Sequence, residues 1–138
     1  MDQFAAVMDA PDVQTEPLFS QGRRQLRRFD APGYQEAVAL FLEARESEPD
    51  GARITAALAE AYALWGSLRE ISGKECLSYY DLAFDEAACA LKVGPGIPGT
   101  HRAMAKALRL GPHADPARRL SESLQAVRLD PYDVENCH

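Results

Sequence analysis

The sequence predicts an all-α fold, a stack of about three antiparallel helical hairpins with the second hairpin elongated. Three observations predict it. First, one ladder recurs three times and runs into a proline: Ala37, Phe41, Ala44, Pro49; then Ala83, Ala87, Ala90, Pro95; then Arg119, Ser123, Ala126, Pro131, each set with offsets of four, three and five residues. Offsets of four and three place the three side chains on one helix face, and proline cannot continue a helix. Second, nine residues after each of the first two prolines a matching pair follows, Leu58-Ala59 with Tyr62 and Met104-Ala105 with Leu108. Third, 46% of the 138 residues are hydrophobic, enough for a core, and 26% are charged, as in ordinary globular proteins.

The elements follow in chain order. Residues 1–17 read as an N-terminal tail or a short capping helix, with Phe4, Val7 and Met8 available to cover the first hairpin. The first hairpin spans 18–51. Its first helix runs from Leu18 to Phe29, Asp30-Ala31-Pro32-Gly33 makes a long turn, and the second helix, Tyr34 to Glu48, aligns Ala37, Leu40, Phe41 and Ala44. The second hairpin spans 52–97. Leu58, Tyr62, Trp65, Leu68 and Ile71 keep one helical stripe without interruption, Ser72-Gly73 supplies a stop suited to the left-handed conformation, and the pattern resumes through Leu77, Tyr80, Phe84 and Ala87. The third hairpin spans 98–131, with helices at Thr100 to Leu110 and Pro116 to Leu129. Thr100 is expected to cap the former, and Asp115-Pro116 to open the latter. Leu120, Leu124 and Val127 restore an apolar stripe where Arg119 and Ser123 weaken the ladder. Residues 132–138 read as the start of a further helix or a truncated end. No polar covering helix follows, so continuation of the chain, another subunit, or self-association through this last repeat would cover it.

These ladders resemble the tetratricopeptide repeat, whose pattern is a W-x2-L-G-x2-Y helix, an A-x3-F helix and then proline. The resemblance covers the chain from about residue 18 to 131 and is strongest in the second hairpin. In the first helix of the first hairpin, Gly22 and Leu26 are the two candidates for the family's Leu-Gly pair. Pro49 and Pro95 lie 46 residues apart, against a family period of roughly 34, so the second hairpin carries about twelve extra residues by that period. The resemblance implies a right-handed α-solenoid that acts as a scaffold or adaptor, holding a peptide or helix of a protein partner in its concave groove. The family's groove positions fall here on Ala56, Glu60 and Ala63 around Leu58, on Arg102, Lys106 and Arg109 around Met104, and on Arg53 near the start of its helix. Family members that clamp the carboxylate of chaperone tails also use groove asparagines. Asn136, at the extreme end, is the only asparagine here, which argues against that ligand.

Charge sharpens the expectation. Basic side chains gather on first helices (Arg23, Arg24, Arg27 and Arg28, then Arg102, Lys106 and Arg109), whereas second helices carry Glu36, Glu43, Glu46, Glu48, Asp81, Asp85, Glu86 and Glu122. A groove extended by Arg24, Arg27 and Arg28 would be basic on a chain of net charge −6, which favours an acidic or carboxylate-bearing segment because arginine pairs bidentately with carboxylates. A plain solvated helix face has the same composition. Trp65, Leu68, Ile71, Leu77 and Tyr79 mark the elongated hairpin as a second candidate docking surface, or as local core if they pack on one another.

Enzymatic chemistry finds little support. His101 is read on a basic helix face, His113 in a Gly-Pro turn and His138 at the end, with no metal-ligand spacing and no nucleophile-elbow or phosphate-loop pattern. No cofactor or metal is expected. Cys76, Cys89 and Cys137 are odd in number and lack C-x-x-C spacing, and Cys76 and Cys89 read as small packing residues. A pI near 5.0 without aromatic residues between the arginines argues against nucleic acid. The absence of a basic start at Met1 to Asp12 and of any long apolar run points to a cytoplasmic protein with no membrane partner. The alternative from another class is a small-molecule-binding or regulatory subunit of a larger enzyme or assembly.

Overall fold

The computed structural model describes residues 15–132. Among these residues six α-helices follow one another: α1 (Thr15–Leu26), α2 (Ala31–Ser47), α3 (Ala52–Ile71), α4 (Leu77–Val93), α5 (Pro98–Ala107) and α6 (Pro116–Leu129), with a 3-10 turn at Gly111–His113. No strand occurs among the described residues. The expectations for Phe4, Val7, Met8, Asn136, Cys137, His138 and a further helix after residue 132 lie outside them.

Helix boundaries follow local chemistry. Asp30 is the N-cap of α2, where its carboxylate accepts a hydrogen bond from the Gly33 backbone N–H at 2.7 Å, and Pro32 lies in the first turn. The expected long turn at residues 30–33 is therefore already helix, because an aspartate cap followed by proline favours a helix start as much as a turn. α3 is continuous over 20 residues and ends at Ser72. Gly73 then adopts φ 72°, and the Lys74 and Gly73 N–H groups donate back to the Arg69 and Glu70 carbonyls, a Schellman closure that requires the left-handed residue. Asp115 caps α6 by accepting from the Arg118 N–H at 3.1 Å. Thr100 behaves otherwise than expected. α5 begins two residues earlier, at Pro98, so Thr100 lies inside the helix, fully buried, with its hydroxyl 2.7 Å from the Gly94 carbonyl and 2.8 Å from that of Ile97.

Consecutive helices pack on each other, and α3 also packs on α5 and, more lightly, on α1. The core has two parts that meet at α3. One joins Leu26, Tyr34, Phe41, Ile54 and Leu58 from α1, α2 and α3. The other joins α3, α4 and α5 largely through alanines, among them Ala56, Ala59, Ala83, Ala87, Ala90 and Ala103, around Met104. Small side chains bring the helix axes close, and Phe41 fills the wider first layer. Gly22 shows how tightly: a β-carbon there would collide with the Phe41 ring.

Candidate functional groove

The charged groove is built on three helices. Glu60 of α3 is only 5% exposed, and its Oε2 lies 3.0 Å from Nζ of Lys106 on α5 and 3.7 Å from Nη1 of Arg23 on α1. A buried carboxylate needs such partners, since an unpaired one would be desolvated without compensation. Arg23, Glu60 and Lys106 thus form one ladder of alternating charge across α1, α3 and α5. The cations remain partly open to solvent, at 26% and 39% side-chain exposure for Arg23 and Lys106.

Two small hollows flank this ladder. One, about 100 Å3, is lined by Arg23, Leu26, Arg27, Phe29, Glu60, Leu64 and Lys106. The other, about 70 Å3, is lined by Ala63, Leu64, Ser67, Tyr80, Lys106, Arg109 and Leu110. Leu64 and Lys106 belong to both, so the hollows are neighbours with an apolar floor and a basic rim.

The structure gathers part of the expected set. Glu60, Ala63, Lys106, Arg109 and Arg27 come together. Ala56 does not, because it is buried at 3% exposure in the alanine layer against α4 and α5. Arg53 points elsewhere, with its guanidinium 5.3 Å from the Phe19 ring, beside a separate hollow of about 170 Å3 with Thr15, Glu16, Glu48 and Ile54. Arg28 turns to Asp30 at 3.3 Å and to Gln25, following the α1–α2 turn rather than the groove. Arg102, half-buried, and Arg24, exposed, are not among the residues lining the two hollows. Arg23 replaces them. Its place was readable only if Gly22 is the small residue of the Leu-Gly pair, because Arg23 then matches Glu60 after Ala59 and Lys106 after Ala105. Gly22 lies against the Phe41 ring, where only a small residue fits.

The side chains expected to mark an elongated hairpin divide in two. Trp65 and Leu68 pack against the first core part, and Trp65 meets Tyr79 edge-on with centroids 4.9 Å apart. Arg69 covers the Tyr79 ring at 4.8 Å. Only Ile71 and Leu77, 84% and 57% exposed, stand out at the tip. Tyr80 donates to a Glu70 oxygen at 2.8 Å, and burial first, then that hydrogen bond, raises its pKa.

The remaining reactive side chains have structural settings. His101 is buried rather than set on an open basic face, held between the Glu122 carboxylate at 2.7 Å and the Pro95 carbonyl at 2.6 Å. His113 stacks on Phe84 with centroids 4.2 Å apart and bonds Asp81 at 2.8 Å. Cys76 and Cys89 are free thiols. Partial desolvation first, then the charges of Glu70 and Glu75, push the Cys76 thiol up, away from the thiolate a nucleophile needs. Cys89 is exposed on α4, not a packing residue, because it falls on the side of that helix opposite Ala83, Ala87 and Ala90. Among the described residues no cluster of three metal-ligating side chains occurs, and no helix is long and apolar enough to cross a membrane. No known family model matches the chain, and no curated protein matches it.

Proposed function

We propose that this chain is a protein-binding scaffold, a short solenoid of helical hairpins resembling the tetratricopeptide repeat, whose groove on α1, α3 and α5 holds an acidic segment of a protein partner. One observation carries the reading: Arg23 on α1 and Lys106 on α5, with Arg27 and Arg109 from the turns just after those helices, converge over the apolar floor of Leu26, Leu64 and Leu110. Glu60 acts from beneath. It neutralises part of the charge and holds Arg23 and Lys106 in fixed positions, so less side-chain freedom is lost when an acidic segment arrives. The order of packing supports the hairpin arrangement, since α1 with α2, α3 with α4 and α5 with α6 pair closely while α3 and α5 adjoin on one side.

None of the three hollows described is of ligand size. The three hollows of about 170, 100 and 70 Å3 fall below the ~300–1,000 Å3 typical of ligand pockets. A shallow basic strip suits side chains of an extended peptide instead. We place the protein in the cytoplasm, where a reducing environment would keep Cys76 and Cys89 as the free thiols they are here.

The test is fluorescence anisotropy with a labelled synthetic peptide of alternating Glu and Leu. Arg27→Glu with Arg109→Glu should weaken binding at least about tenfold, equivalent to about 1.4 kcal/mol. The melting temperature should hardly move, since exposed charges contribute about 0–1 kcal/mol to folding. Binding should also weaken with added salt. Affinity that survives both the reversal and high salt would remove the site from this groove.

A further inference from the structure

We propose that Phe29, in the turn between α1 and α2, is the specificity-determining residue of the basic groove, where it receives an aromatic side chain carried by the partner's acidic segment. This deepens the function proposed above and rests on it. Phe29 is the one non-glycine residue with positive φ among the described residues, at 55°. An L side chain in that left-handed region crowds its own backbone, and for a bulky residue the conformation is a genuine outlier.

The turn explains the conformation but not the residue. Its backbone is fixed from both sides: the Arg28 and Phe29 N–H groups donate back to the Gln25 and Leu26 carbonyls as α1 ends, and Asp30 opens α2 by accepting from the Gly33 and Tyr34 N–H groups. A glycine at position 29 would meet those demands without strain. Phenylalanine gains little inside the chain in return, because it is 67% exposed. A strained residue that its surroundings hold in place, and that internal packing does not require, points to a use for the side chain itself.

The surroundings of the ring select the occupant. Phe29 lines the hollow of about 100 Å3 together with Leu26, Leu64, Arg23, Arg27 and Lys106, and the carboxylate in that lining, Glu60, is already engaged by Arg23 and Lys106. An aliphatic side chain entering this hollow gains burial alone. An aromatic one gains in addition an edge or offset contact with the Phe29 ring and a cation over its own face. Carboxylates beside it in the segment meet the positive rim. The element recognised is therefore an aromatic residue flanked by Asp or Glu.

The experiment compares two labelled peptides on the full chain by fluorescence anisotropy: the alternating Glu and Leu peptide, and the same peptide with its central Leu replaced by Phe. The parent chain should bind the Phe-containing peptide about fivefold more tightly, the size expected of one aromatic pair. Phe29→Gly should abolish that preference, stay within about threefold of the parent on the all-Leu peptide, and hold or raise the melting temperature because the strained residue is gone. Phe29→Tyr should keep the preference. Arg27→Glu with Arg109→Glu should weaken both peptides, which separates the charge of the groove from the choice of side chain. Equal binding of the two peptides by the parent, or a preference that survives in Phe29→Gly, overturns this proposal and leaves the groove reading standing. Binding of neither peptide at about 100 μM overturns both. A melting temperature lowered by more than about 5 °C in Phe29→Gly would make Phe29 a packing residue and overturn the proposal as well.

Discussion

α3 and α6 both carry apolar residues at helical spacing, yet they lead opposite lives. α3 buries 11 of its 20 residues because α2, α4 and α5 all pack around it and α1 touches it. α6 rests chiefly on α5 and buries one. Leu58 is completely enclosed, whereas Leu120, equally apolar, is 62% exposed. A leucine's contribution thus depends on the number of neighbouring helices, and the periodic pattern that places it on a helix is silent about that number.

The widest test of the contrast pairs two truncations. Leu58→Ala should cost about 2–5 kcal/mol, the range for emptying a closed site, while Leu120→Ala should stay within about 0.5 kcal/mol. Urea denaturation measures both, and similar losses would mean that α6 is covered in solution. Next comes a crowding test on the α1–α2 contact. Gly22→Ala should lose about 1–3 kcal/mol by pressing on Phe41, and Phe41→Leu in the same chain should recover part of it. Failure of that rescue would show that the glycine serves the backbone rather than the contact.

Glu60→Gln probes the buried charge on α3. It should lower stability by about 1–3 kcal/mol by weakening the hydrogen bond from Lys106 and the charge attraction to Arg23, and it should strengthen binding of the acidic groove peptide because both cations lose their internal competitor. Weaker binding would show that Glu60 matters more as a positioning group. The smallest effect concerns α3 and α4 at Tyr80. Its raised phenol pKa means that the folded state keeps the proton where the unfolded chain has lost it. The stabilisation is fully present below the ordinary tyrosine value of about 10 and falls as pH rises from there through the raised value. Tyr80→Phe should flatten that alkaline decline and cost about 1 kcal/mol at neutral pH. A decline unchanged by the substitution would assign it to Tyr34 or Tyr62, whose values are also raised.

Much of the helical framework was legible because its signals are local. The stop at Gly73 and the start at Asp115 each depend on a few adjacent backbone groups, and the Leu58 to Ile71 stripe needs only a regular helix. Asp30-Ala31-Pro32-Gly33 was ambiguous for the same local reason, since cap and turn share their residue types. The groove was half legible. Lys106 and Arg109 line one hollow as their spacing suggested, but Arg53 bears the same charge and covers Phe19 instead. Whether a long side chain reaches a groove or a neighbouring ring depends on which helix packs beside it.

By itself, the sequence determined an all-helical chain, the stops between most of its helices, the alanine ladders that bring them close, and the excess of basic residues on α1 and α5. Helical periodicity and capping act over four or five residues, so these properties need no knowledge of distant parts. Tertiary structure alone decided that Glu60 is sealed between Arg23 and Lys106, that His101 is buried against Glu122, and that Leu120 and Leu124 remain open. Burial and ion pairing between helices depend on crossing geometry and on the number of helices packed over each face, and these are properties of the assembled fold rather than of any one segment.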